Sequence, residues 1–143
     1  MNLRAGADSF LVHWEGNNDL SRTVQSIKAL RKRVGIAINP ATSATVLEEI
    51  MQDLDQVLVM TVIPGFGHQH FLHTTLPKIR RARQMIERIK PGCSLEVDGG
   101  IDVTNAPAGG CRGCRHAGGR IGDFQSQGKS HRPTERLRAA IRL

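Results

Sequence analysis

Four short runs of Val, Ile and Leu punctuate the chain with little alternation between apolar and polar positions. They are "SFLVHW" (9–14), "VGIAIN" (34–39), "QVLVMTV" (56–62) and "SLEVDGG" (94–100). Strands whose two faces are both covered have this look. Between them the spacing changes. "DLSRTVQSIKALRKR" (19–33) predicts a helix that opens on an acidic cap and closes on a basic turn, the order the helix dipole favours. "SATVLEEIMQDL" (43–54) predicts a second, with Ser43 as N-cap and Val46, Leu47, Ile50, Met51 and Leu54 on one face. "TTLPKIRRARQMIERIK" (74–90) predicts a third, with Leu76, Ile79, Met85, Ile86 and Ile89 among basic residues and Pro77 in the first turn. Strands alternating with helices at this spacing mean βα units on a parallel sheet.

The polar and glycine-rich residues share one address. His13, Asn39-Pro40, Met60 with Pro64-Gly65, and Asp98-Gly99-Gly100 all fall where a predicted strand gives way to a loop. In parallel α/β folds, and above all in (β/α)8 barrels, that carboxyl edge holds the active site. The run "VLVMTVIPGFGHQHF" (57–71) shows the change most sharply, passing from continuous apolar residues into glycine and histidine. Glycines after a buried strand let backbone N–H groups approach a phosphate, although a tight loop without a ligand uses the same residues. The expected fold is α/β, a partial (β/α)8 barrel of about four to five βα units, because 143 residues fall short of the ~250 of a whole barrel.

Charge looks at first like a sign of nucleic acid, since the net value is +7. Its distribution changes that reading. Residues 1–108 hold 12 Lys and Arg against 11 Asp and Glu, whereas residues 109–143 hold 8 against 2. The basic excess belongs to a tail, so two regions are expected: a barrel domain over 1–108 and a basic, Gly/Arg-rich, poorly ordered tail over 109–143. No run approaches the ~18 apolar residues of a membrane span, and "MNLRAGADSF" lacks an apolar signal region, so a cytoplasmic setting is expected. The three cysteines, Cys93, Cys111 and Cys114, are too few for a disulfide framework.

"AGADSFLVHWE", "GIAINPAT", "LVMTVIPGFGHQHF" and "LEVDGGI" together resemble the ribulose-phosphate 3-epimerases, barrel enzymes of the pentose phosphate pathway. They run in family order and spacing over residues 5–101. The resemblance implies interconversion of D-ribulose 5-phosphate and D-xylulose 5-phosphate by proton transfer through an enediolate, which a divalent metal (Zn, Fe, Mn or Co) stabilises. It makes Asp98 an acid/base and metal ligand, and His13 a metal ligand that also touches substrate. Met60 would shield the reacting carbons. Gly65, Phe66 and Gly67 would close over the substrate, and Gly99 and Gly100 would offer N–H groups to its phosphate. His68 stands where the family usually has glycine. Taken without the resemblance, each has a plainer role: a solvent-facing histidine, a turn aspartate, a core methionine.

The resemblance also implies parts that this sequence does not match. Earlier strands of the family supply a serine, a further histidine and the second aspartate, so an amino-terminal truncation is expected, with weak or no activity. After "IDVTNAP" the match gives way to "AGGCRGCRHAGGRIGDFQSQGKSHRP", which has no period of either kind. Read one base later, a choice of synonymous codons for residues 109–133 yields an apolar strand ending in the family's Gly-Ser, which points to a shifted reading frame. Three other readings stand beside the epimerase. One is a catalytically dead remnant, and another a related hexulose-phosphate 3-epimerase. The third is a basic-tailed phosphate or nucleic-acid binder, disfavoured because Phe124 is the tail's sole aromatic. Cys111, Cys114 and His116 form C-x2-C-x-H, but only distant His131 could serve as a fourth zinc ligand. The expected partner is a small pentose 5-phosphate, with neither membrane nor nucleic acid, and association into a homo-oligomer is left open.

Overall fold

The computed structural model describes residues 6–65, 69–101 and the backbone of 114–118. Its elements run β1 (Ser9–His13), α1 (Leu20–Ala29), β2 (Arg33–Ile38), β3 (Gln56–Met60), α2 (Leu76–Ile89), β4 (Ser94–Asp98) and β5 (Cys114–Gly118). The five strands form one sheet in the order β1-β2-β3-β4-β5, and every neighbouring pair is parallel. This is the wall of a partial α/β barrel, and it matches the expected fold class. Four of the strands lie where the apolar runs predict them. The fifth, β5, falls in "CRHAG", a stretch whose pattern predicts no element.

Helix α1 keeps the expected acidic cap but ends at Ala29, short of the basic run expected to close it, and Arg33 already opens β2. The Asp19 carboxylate caps it by accepting the Arg22 backbone N–H at 3.0 Å, and Lys28 sits in its last turn. Helix α2 has Pro77 in its first turn, where no intrahelical N–H is needed. The helix expected over 43–54 is a correction. That segment is instead two separate 3-10 turns, Ala44–Leu47 and Met51–Asp53. Their hydrogen bonds reach back three residues rather than four: Glu48 N–H to Thr45 O at 3.1 Å, Ile50 N–H to Leu47 O at 3.2 Å, Leu54 N–H to Met51 O at 3.2 Å. The tighter winding still buries Ala44, Leu47, Met51 and Leu54. Apolar spacings of three and four fit either winding, which is why the pattern could not choose.

Strand register sorts the side chains onto two faces, since residues level with one another across strands point the same way. Val34, Ile36, Ile38, Val57, Val59, Leu95 and Val97 face the helices and pack with Val24, Ile27, Ile79 and Ile86 in the main core. The opposite face carries a smaller cluster of Ala37, Leu58 and Met60, with Val62 against it. Leu11 on this face is 45% exposed. Two apolar faces on one parallel sheet are what a barrel wall requires: helices outside, side-chain layers inside. Among the described residues no helix is long and apolar enough to cross a membrane.

Candidate functional site

Because all strands run the same way, their last residues meet at one edge. His13 ends β1, Met60 ends β3 and Asp98 ends β4. Asn39 follows directly on β2, and Gly65 lies in the loop after β3. Register puts the side chains of His13, Met60 and Asp98 on the inner face. His13 is level with Ala37, Ala37 with Leu58, and Met60 with Asp98. Among the expected site residues, His13, Met60, Gly65, Asp98, Gly99 and Gly100 therefore share one edge of the sheet. Phe66 and Gly67, with His68, lie outside the described residues. So do Cys111 and His131 of the weighed zinc motif.

The turn after β4 is held by β3. Thr61, fully buried, donates its backbone N–H to Asp98 O at 2.8 Å, and its hydroxyl reaches Asp98 O at 2.9 Å and Gly99 O at 2.6 Å. Thr61 O in turn accepts the Leu72 N–H at 2.8 Å, which brings the far end of the glycine loop back to the same strand. Gln69 clamps that loop again: its side-chain amide accepts the Ile63 N–H at 3.2 Å and donates to Ile63 O at 2.5 Å. Gly99 (φ +116) and Gly100 (φ +62) occupy left-handed backbone that side chains disfavour. A side chain at Gly100 would also strike backbone atoms of residues 69–71, so this turn and the glycine loop are in direct backbone contact.

Electrostatics distinguish the acidic groups at the edge. Burial pushes the Asp98 carboxyl above its ordinary value. Glu15 behaves in the opposite sense. Burial would raise it, but hydrogen bonds from Thr42 and the Asn39 N–H, together with His13 nearby, outweigh burial and lower it. Lys78 is lowered by burial, partly offset by Glu15. A shallow cavity of about 460 Å³ lined by Ser43, Pro77, Lys78, Arg80 and Arg81 lies on the helix layer, away from the inner-face residues.

The described residues offer a metal the right chemistry in too small a number. His13 supplies an imidazole nitrogen and Asp98 carboxylate oxygens. Yet no group of three or more His, Cys, Asp or Glu that could hold an ion is gathered among them. On the sheet the two stand three strand spacings apart, roughly 14 Å along its surface. A site shared by both needs the curvature of a closed barrel and further ligands.

The description "Ribulose-phosphate 3 epimerase family" fits residues 2–113, which include His13, Met60, Gly65, Asp98, Gly99 and Gly100. The chain belongs to the ribulose-phosphate 3-epimerase family. It is 46% identical over 105 residues to the ribulose-phosphate 3-epimerase of Bacillus subtilis, covering 73% of this chain and 48% of that protein. The Aquifex aeolicus ribulose-phosphate 3-epimerase is 41% identical over 103 residues, covering 72% and 46%. That of Escherichia coli K12 is 42% identical over 101 residues, covering 71% and 45%. The chain thus spans about half the length of the curated relatives it matches. These epimerases are metal-dependent isomerases as a family.

Residues that the pattern did not single out tie this edge together. Glu15, Thr42, Lys78 and Thr61 all make contacts 24 or more residues away in sequence. Thr42 lies inside the quoted "GIAINPAT", and Glu15 closes "AGADSFLVHWE", but no spacing rule links them. Only the parallel pairing of β1 with β2 brings them together.

Proposed function

We propose that this chain carries part of the active site of an enzyme that interconverts D-ribulose 5-phosphate and D-xylulose 5-phosphate, working on a soluble sugar phosphate in the cytoplasm. The observation that carries the reading is the register pairing of Met60 with Asp98 at the carboxyl edge, beside the left-handed Gly99-Gly100 turn, in a chain of this family. Asp98 takes the proton from the carbinol carbon beside the ketone, and the electron pair of that C–H bond becomes the enediolate. The proton that completes inversion comes from the opposite face, and Asp98, its proton affinity raised by burial, donates to its own face when the reaction runs in reverse. Met60, buried and apolar, excludes water from the carbanionic carbons. Gly99 and Gly100 contact the phosphate through the backbone, beside Gly65 in the loop after β3.

A divalent ion (Zn, Fe, Mn or Co) would supply electrostatic stabilisation of the enediolate oxygens, and His13 and Asp98 would be its ligands from this chain. The second face needs another acid/base that the matched motifs do not include. We infer accordingly that residues 1–108 are an incomplete epimerase domain and that 109–143 are a basic tail read out of frame.

The test is complementation. The 143-residue chain alone, with divalent metal added, is expected to show at most trace epimerase activity, because inversion requires proton transfer on both faces. Joined to the portion of the Bacillus subtilis relative that it does not match, it should turn over. Asp98→Asn should then lower turnover by about 10²–10⁴-fold or more, the usual worth of a positioned acid/base. Full turnover by the Asn variant would remove Asp98 from the chemistry.

A further inference from the structure

Directly after His13 the chain makes a 3-10 turn, Trp14–Gly16, which carries Glu15 back over the carboxyl ends of β1 and β2. The carboxylate of Glu15 is held there from one side. Its Oε1 accepts the Asn39 backbone N–H at 2.8 Å and the Thr42 hydroxyl. The loop that provides these donors is itself fixed, since Lys78 Nζ on α2 donates to the carbonyls of Asn39 at 2.7 Å and Pro40 at 2.6 Å. The other oxygen, Oε2, lies 3.7 Å from His13 Nδ1. A continuous line of contacts therefore runs from α2, through the loop after β2, to a carboxylate that ends against the imidazole.

We propose that Glu15 is a positioning residue for His13: anchored by Asn39 and Thr42, its Oε2 selects the imidazole tautomer with the proton on Nδ1 and leaves Nε2 as the lone pair. The reason is the donor and acceptor inventory. A carboxylate only accepts, so the ring nitrogen facing it is favoured as N–H. At 3.7 Å the pair is an electrostatic contact rather than a formed hydrogen bond. Of the two partners the ring is the free one, with the His13 side chain 47% exposed while both donors hold Glu15. The proposal requires a turn of the ring about its own bond to close that gap. Histidines that serve as ligands commonly have the remote nitrogen oriented by a carboxylate in this way. The inference rests on the proposed role of His13 for its purpose, not for its test.

The test reads the ring directly. In the full 143-residue chain labelled with ¹⁵N-histidine, long-range ¹H–¹⁵N correlations report which nitrogen carries the proton. The medium is metal-free and alkaline enough to keep imidazole neutral, and His13→Gln assigns the signal. His13 is expected as the Nδ1–H form, the opposite of what an unrestrained histidine prefers in water. Glu15→Gln keeps an oxygen for Asn39 and Thr42 but turns an amide N–H toward the ring. The tautomer ratio should then invert, with Tm little changed. A wild-type His13 that is mainly Nε2–H overturns the proposal. So does a ratio that Glu15→Gln leaves unaltered, including the case in which only Tm falls, because Glu15 would then be a clamp for the loop and nothing more. Either result leaves the epimerase reading intact, since no turnover or metal binding is measured.

Discussion

Replacing Gly100 with alanine tests whether the turn after β4 and the glycine loop are packed as a unit. At φ +62 the glycine sits in left-handed backbone, and a Cβ placed there would lie 2.4 Å from Phe71 N, 2.8 Å from Gln69 O and 2.9 Å from the His70 carbonyl carbon. All three are backbone atoms, so no side-chain rotation relieves the clash. The left-handed conformation costs an L-residue about 1–2 kcal/mol, and forcing backbone apart in a packed region costs about 1–3 kcal/mol more. A total loss of about 2–5 kcal/mol follows, a large share of the ~5–15 kcal/mol that stabilises a typical domain. Urea unfolding followed through Trp14, the chain's sole tryptophan, should show a lower midpoint at an unchanged slope. Gly100→Asn separates the two causes, because asparagine visits left-handed backbone readily while still bringing a Cβ into the clash. It should recover only the conformational part. Gly92→Ala, where nothing lies within 4 Å of the added carbon, is the control and should stay within about 0.5 kcal/mol of wild type. A Gly100→Ala protein as stable as that control would refute the contact between the two loops.

Two further expectations bear on the same edge. Thr61→Val keeps the shape of a fully buried side chain but leaves Gly99 O without its 2.6 Å donor, so stability should fall by about 1–3 kcal/mol; an unchanged urea midpoint would mean the hydroxyl contributes nothing. Asp98→Asn should raise Tm at neutral pH. Burial holds the folded carboxyl above its ordinary value of 3.8, so over the interval between the two values the unfolded chain binds fewer protons and stability drops as pH rises. Asparagine never carries that penalty, and its advantage should vanish as the pH falls below 3.8, where both states are protonated. An Asn variant less stable than wild type at neutral pH would contradict this sign.

Strands β2 and β3 were legible because burial on two faces leaves "VGIAIN" and "QVLVMTV" almost free of polar residues, a signal carried by composition alone; β1 and β4 also lie where apolar runs place them, but β4 is buried at alternate positions only and β1 at none. The site edge was legible for a related reason: His13, Met60 and Asp98 each stand at the point where an apolar run stops, and parallel strands must bring those points together. Beyond that the sequence was silent or ambiguous. Apolar residues spaced three and four apart at 43–54 suit an α-helix and a pair of 3-10 turns equally, and only packing beneath β2 and β3 selects the turns. β5 has no apolar signature, and its strand form depends on the open edge of β4 beside it. The ties of Glu15 to Thr42, of Lys78 to Pro40 and of Thr61 to Gly99 join residues 27, 38 and 38 positions apart. Such contacts leave no local period, because they exist only once register places one strand end beside the next.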